Sequence, residues 1–131
     1  MSTAWLFPGQ GSHHVGMATG WASRSSAARD ALAEAADVLG YDLPGLMADG
    51  PAETLEETSH QQPALLVAAV AALRGLGDDV ALLALVAGHS VGEYAALVAA
   101  GSLSYRDALA LVQARARLMR EAGTRHPGGM A

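Results

Sequence analysis

The serine in Gly88-His89-Ser90-Val91-Gly92 stands between two glycines, where the apolar run "LLALVA" gives way to "VGEYAALVAAG". A serine hydroxyl is a weak nucleophile. It attacks a carbonyl only when it is held exposed, beside a base and beside donors for the developing oxyanion. Glycines on both sides of a serine remove side chains that would clash where a strand turns sharply into a helix. The serine then lies at the helix N-terminus, where free N–H groups and the helix dipole favour negative charge. The apolar run before the motif and the helical spacing of Val91, Ala95, Val98 and Ala99 after it supply that context. A catalytic Ser90 is therefore expected, the alternative being a structural glycine-rich turn.

Arg115 is the second residue that stands out. On a helix expected from about 104 to 122, the apolar residues Ala108, Leu111, Val112, Leu118, Met119 and Ala122 form a stripe, and Arg115 falls in its middle. A buried arginine is costly unless it meets an anion, so an internal carboxylate or a substrate carboxylate is expected opposite it. His89 is carried on the backbone unit next to Ser90 with its side chain directed away, which suits packing or hydrogen bonding rather than proton abstraction. His13, His14, His60 and His126 lack metal-ligand spacing, so no metal site is expected.

The elements that position these residues can be read from pattern. "TAWLF" at 3–7 suits a buried strand ending at Pro8-Gly9, and "ALLALVAG" at 81–88 suits a second. Between them, residues 25–39 carry Ala28, Leu32, Ala35, Ala36 and Leu39 on one helical face, and Gly40 stops that helix. The Pro- and Gly-punctuated stretch from 41 to 59 reads as two short helical turns. Gln62 to about Leu73 is apolar nearly all round, a buried helix broken by Gly75 to Asp79. Gly101 caps the helix after the serine; Ser104, with Asp107 three residues on, opens the last helix and Gly123 closes it. Strands separated by helices argue for a parallel α/β sheet.

With 131 residues, half of them hydrophobic, the chain predicts one compact unit. All eight basic residues are arginine, and a formal charge of -5 argues against nucleic acid as a partner. Five of the arginines fall between Arg106 and Arg125, a cluster that suits a solvated helix face or an anionic partner. The absence of cysteine excludes disulfides and thiolate chemistry. The start has no positive n-region and the apolar runs are too short to span a bilayer, so a cytoplasmic protein without membrane contact is expected.

Four landmarks, in order, resemble the malonyl-CoA:acyl carrier protein transacylase family and the related acyltransferase domains of polyketide synthases: "LFPGQGS" at 6–12, "QQPAL" at 61–65, "GHSVGEYAAL" at 88–97 and "LVQARARLM" at 111–119. The resemblance implies an α/β-hydrolase-like acyltransferase core. It implies that Ser90 accepts the acyl group and that the backbone N–H groups of Gln10 and Val91 form the oxyanion hole. Arg115 would bind the malonyl carboxylate, with Met119, Gln62 and His89 around the substrate and Gly88 and Gly92 shaping the elbow. A branched residue after the serine, Val91, leans towards malonyl. The implied reaction is ping-pong: malonyl passes from CoA to Ser90, then to the phosphopantetheine thiol of an acyl carrier protein, in fatty acid or polyketide biosynthesis. No metal or redox cofactor is required.

The chain also departs from the family pattern. Family members are much longer, and their general-base histidine lies far beyond the serine. Residues 1–131 are thus expected to be a single, incomplete large-subdomain segment, with 127–131 leading into an absent ferredoxin-like subdomain. Such a chain would be a fragment or one piece of a split protein completed by another chain, weak or inactive alone. The competing expectations are a carrier-protein docking module using the arginine cluster, and a small serine hydrolase drawing on Asp107, Glu121 and His126.

Overall fold

The computed structural model describes residues 3–77 and 83–128. Strand β1 (Thr3–Phe7) leads into a loop and a short helix α1 (Thr19–Arg24). Helices α2 (Ser26–Leu39), α3 (Leu43–Asp49), α4 (Ala52–Glu56) and α5 (Thr58–Leu76) follow. Strand β2 (Leu83–Gly88), α6 (Gly92–Ala99) and α7 (Tyr105–Arg125) complete the described elements. The two strands pair in parallel, with Trp5 opposite Val86 and Phe7 opposite Gly88. This is the α/β arrangement expected from strands separated by helices.

Local chemistry accounts for the element ends. Ser25 caps α2 by accepting from the Ala28 N–H, and Gly40 leaves it in the left-handed conformation at φ 78°. Ser104 caps α7: its Oγ accepts from the Asp107 N–H at 3.1 Å and donates to Asp107 Oδ2 at 2.7 Å. Gly101, at φ 71°, turns the chain after α6.

Helix α5 is the centre of the packing and touches α1, α2, α3, α4, α6 and α7. Residues Gln61 to Val67 are buried without a break, as expected of a helix enclosed on most sides. Leu66, Val67, Val70, Leu109, Val112 and Leu43 are among the fully buried side chains of the core. Helix α6 lies on both strands, on the side of Phe7. The opposite face of the sheet carries Leu6 and Leu85, which are 76% and 59% exposed, so the two strands expected to be buried are covered on one face only.

The structure corrects several boundaries. Helix α5 begins at Thr58, four residues before the expected Gln62, and Pro63 is accommodated within it. Helix α7 runs through Gly123 to Arg125, because Gly123 does not adopt the left-handed conformation that ends a helix. The buried face of α7 is Tyr105, Ala108, Leu109, Val112 and Ala116, whereas Leu111, Leu118 and Met119 are exposed. Packing on α5 and α2 rotates the helix so that Arg115 lies on the flank of the packed face, about 80° from its centre. Helix α1 was not legible in the sequence. The expected start of the second strand at 81–82, and residues 129–131 of the expected lead-in segment, lie outside the described residues.

Candidate active site

The turn from β2 to α6 is built by two glycines with no room for a side chain. A Cβ on Gly88 would collide with the carbonyl of Gly92 and the N–H of Glu93; one on Gly92 would collide with the carbonyl oxygens of Phe7 and Pro8. This close approach brings the loop after β1 against the elbow, where the His89 N–H donates to the Phe7 carbonyl at 3.0 Å. Ser90 then takes φ 55°, a conformation that costs a non-glycine residue energy and that clusters at functional sites. Its side chain is exposed, at the start of α6. Among the described residues, neither the Val91 N–H nor the Gln10 N–H makes a backbone hydrogen bond, so both remain open as donors.

Opposite Ser90 stands Arg115. Its Nη2 donates to Ser90 Oγ at 3.0 Å, and its Nη1 donates to Gln62 Oε1. Gln62 is fully buried and its Nε2 donates to Met119 Sδ at 3.3 Å. Four of the expected site residues, Ser90, Arg115, Gln62 and Met119, thus form one hydrogen-bonded chain. Of the two anions expected opposite Arg115, the internal carboxylate is corrected: among the described residues its protein partners are a neutral amide and a hydroxyl. Among the described residues the ion pairs of other arginines are Arg74–Glu34, Arg106–Asp37 and Arg117–Glu121, and no carboxylate pairs with Arg115. Guanidinium stays charged at all ordinary pH, so the site holds a positive charge not matched by a carboxylate.

The remaining expected residues are placed differently from one another. Gln10 is exposed, and its side-chain amide donates to Thr58 Oγ1 at 3.3 Å. The His89 ring lies against Gly9, where a Cβ would sit 2.6 Å from Nδ1. The Val91 side chain is buried in the core. The arginine cluster is not one patch, since Arg106 reaches α2, Arg115 faces Ser90 and Arg117 pairs along its own helix. Among the described residues no group of three or more His, Asp or Glu side chains could hold a metal ion, and no helix is long and apolar enough to cross a membrane. Sequence reasoning missed Gln61, which holds the Gln10–Gly11 loop. Its signal was a pair of glutamines at the head of an otherwise apolar segment.

The acyl transferase domain model matches residues 4–131. The chain belongs to the acyl transferase domain family. It is 46% identical over 129 residues to a malonyl CoA-acyl carrier protein transacylase of Salmonella typhimurium, a match that covers 98% of this chain and 42% of that protein. Among solved structures, an acyl carrier protein S-malonyltransferase from Vibrio cholerae superposes with a TM-score of 0.87 at 47% identity, covering 91% of this chain and 39% of that one. A type II polyketide acyl carrier protein in complex with its malonyl-transacylase gives 0.88 at 46% identity, covering 93% and 40%. The chain spans about two fifths of the length of these acyl transferases.

Proposed function

We propose that these residues form the nucleophile half of an acyltransferase site that moves malonyl from CoA to the phosphopantetheine thiol of an acyl carrier protein. Ser90 Oγ attacks the thioester carbonyl, the C–S bond breaks and CoA leaves as the thiol, carrying off one proton. The carrier-protein thiol then takes the acyl group from the serine ester and returns a proton to the serine. The Gln10 and Val91 N–H groups receive the oxyanion in both steps. His89, with its ring against Gly9, borders the entry of the acyl chain rather than taking the proton.

The observation that carries this reading is the 3.0 Å bond between Arg115 Nη2 and Ser90 Oγ. An acyl group esterified to that oxygen, with a carboxylate one carbon beyond its carbonyl, brings the carboxylate to the guanidinium. Arg115 can then exchange its neutral partners for two charge-assisted bonds. An acetyl group gains nothing there, so the geometry favours a carboxylated acyl chain. No imidazole hydrogen-bonds Ser90 Oγ among the described residues, and on this reading the proton acceptor comes from polypeptide that the relatives carry beyond the matched two fifths. No metal or redox cofactor enters these steps.

The test is a graft in which this chain replaces the matching segment of the Salmonella typhimurium relative. Malonyl transfer to an acyl carrier protein is expected, and it disappears in Ser90→Ala. Transfer that survives Ser90→Ala overturns the assignment. The 131-residue chain by itself is expected to be acylated slowly; rapid labelling of its Ser90 by malonyl-CoA contradicts the placement of the base.

A further inference from the structure

The loop that carries the Gln10 N–H has little packing to hold it. Gln10, Gly11 and Ser12 are exposed, and a Cβ built on Gly11 meets nothing within 4 Å. Among the described residues two hydrogen bonds anchor it, both from the first turn of α5. Thr58 Oγ1 accepts from the Gln10 side chain at 3.3 Å, and Gln61 Oε1 accepts from the Gly11 N–H at 2.9 Å. Thr58 and Gln61 are three residues apart and so share a helix face.

The Gln61 side chain is itself fixed. It is 5% exposed, its Nε2 donates to the Glu56 carbonyl at 3.0 Å, and the same nitrogen lies 3.5 Å from His13 Nε2. These partners admit one orientation of the amide. A flipped amide would set its nitrogen against the Gly11 N–H and its oxygen against the Glu56 carbonyl. The oxygen facing Gly11 is thus dictated by the Glu56 carbonyl behind it.

We infer that Gln61 is a positioning residue for the acyl-transfer step: by holding the Gly11 N–H, it sets the peptide next to the Gln10 N–H and keeps that donor turned to the serine. The inference rests on the role proposed above for Gln10. Its physical basis is peptide planarity, because pinning the Gly11 N–H fixes the whole Gln10–Gly11 peptide plane. On the other side, Gly9 is wedged against His89 of the elbow. Gln10 is therefore held at both ends, by the elbow before it and by α5 after it. The Gly11 conformation, φ 98°, makes the turn between them possible without strain. Adjacent residues of one helix then serve the two sides of the serine: Gln61 addresses the oxyanion loop and Gln62 addresses Arg115.

The experiment uses the ¹⁵N-labelled 131-residue chain and compares it with Gln61→Met, which keeps length and apolar bulk but loses the acceptor, and Gln61→Glu, which keeps an acceptor. Amide exchange of Gly11 is expected to be slow in the unaltered chain, at least tenfold faster in the Met variant and partly restored in the Glu variant. The Leu66 and Val70 amides report the core and should not change. Binding of phenylboronic acid supplies the functional readout: Ser90 Oγ bonds to boron, its proton passes to water, and the tetrahedral boronate presents an oxyanion. Gln61→Met should weaken boronate binding about tenfold while malonate, which reports Arg115, binds as before. Gly11 exchange at the free-peptide rate in the unaltered chain, or unchanged by Gln61→Met, overturns the inference. Equal losses of boronate and malonate binding overturn it too, since they indicate a general structural role. Absence of boronate binding by the unaltered chain counts against the proposed oxyanion site, while the exchange data still decide whether Gln61 holds the loop.

Discussion

The first turns and the middle of α5 are buried to a similar degree and with opposite chemistry. Its first turns bury Gln61 and Gln62, and its middle buries Leu66, Val67, Val70 and Ala71. The aliphatic stretch stabilises the fold by leaving water, at about 25 cal/mol per Å² of apolar surface. A buried amide gains little, because each of its bonds replaces one to water and nets only about 1 kcal/mol. Stability alone gives no reason for two consecutive buried glutamines. Their partners do: one amide holds the loop with the Gln10 N–H, the other holds the Arg115 guanidinium. Burial in one half of the helix makes the core, and in the other half it fixes the geometry around Ser90.

Substitutions in the two halves should therefore separate stability from binding. The largest effect on stability is expected from Leu66→Ala, a loss of about 2–5 kcal/mol in chemical denaturation. The affinity for malonate of the protein that remains folded should stay within about twofold of the original; a proportional loss of affinity would break the distinction. Gln62→Leu reverses the pattern. Malonate binding measured by calorimetry should weaken about tenfold, since a guanidinium hydrogen bond worth about 1.5 kcal/mol disappears, with a smaller change in unfolding free energy. Outside α5, Ser104→Ala removes the cap of α7 and should cost about 1 kcal/mol without altering malonate affinity.

A separate expected effect concerns pH. Tyr41 packs edge-on against His60 in the first turn of α5, and burial pushes its hydroxyl up from the usual 10.0 to about 12. The folded state thus resists an ionisation that the unfolded chain undergoes earlier. The associated stability is fully present below about pH 10 and is lost as the pH rises towards 12. Unfolding followed at rising pH should show this decline, and Tyr41→Phe should make it less steep. Tyr105 is raised further for the same reason, burial, and donates to the Ala31 carbonyl at 3.1 Å.

Much of this arrangement was legible because it is local. The apolar run and the glycine spacing announce the β2–α6 elbow; Ser104 and Asp107 announce the start of α7; and Gly40 announces the end of α2. What was not legible depends on partners distant in sequence. The face that α7 buries is chosen by its contacts with α5 and α2, and this leaves Leu111, Leu118 and Met119 exposed although their spacing places them on the expected apolar stripe. The anchors of the Gln10 loop come from residues 48 to 50 positions away. Helix α1 is six residues long, has no side-chain cap and buries no residue fully, so it carries almost no amphipathic signal. The internal carboxylate expected as one partner of Arg115 failed for a related reason: the flank of a helix can keep a guanidinium half-exposed, where a neutral amide is partner enough within the protein.

The central claim is that Ser90 carries the acyl group with its carboxylate held by Arg115. Its most direct test is peptide mass mapping of the grafted Salmonella typhimurium enzyme, quenched shortly after mixing with equal malonyl-CoA and acetyl-CoA. The account predicts a malonyl adduct on the peptide containing Ser90, and loss of the malonyl preference in Arg115→Ala. A malonyl adduct on another residue, or an undiminished malonyl preference in Arg115→Ala, would contradict it.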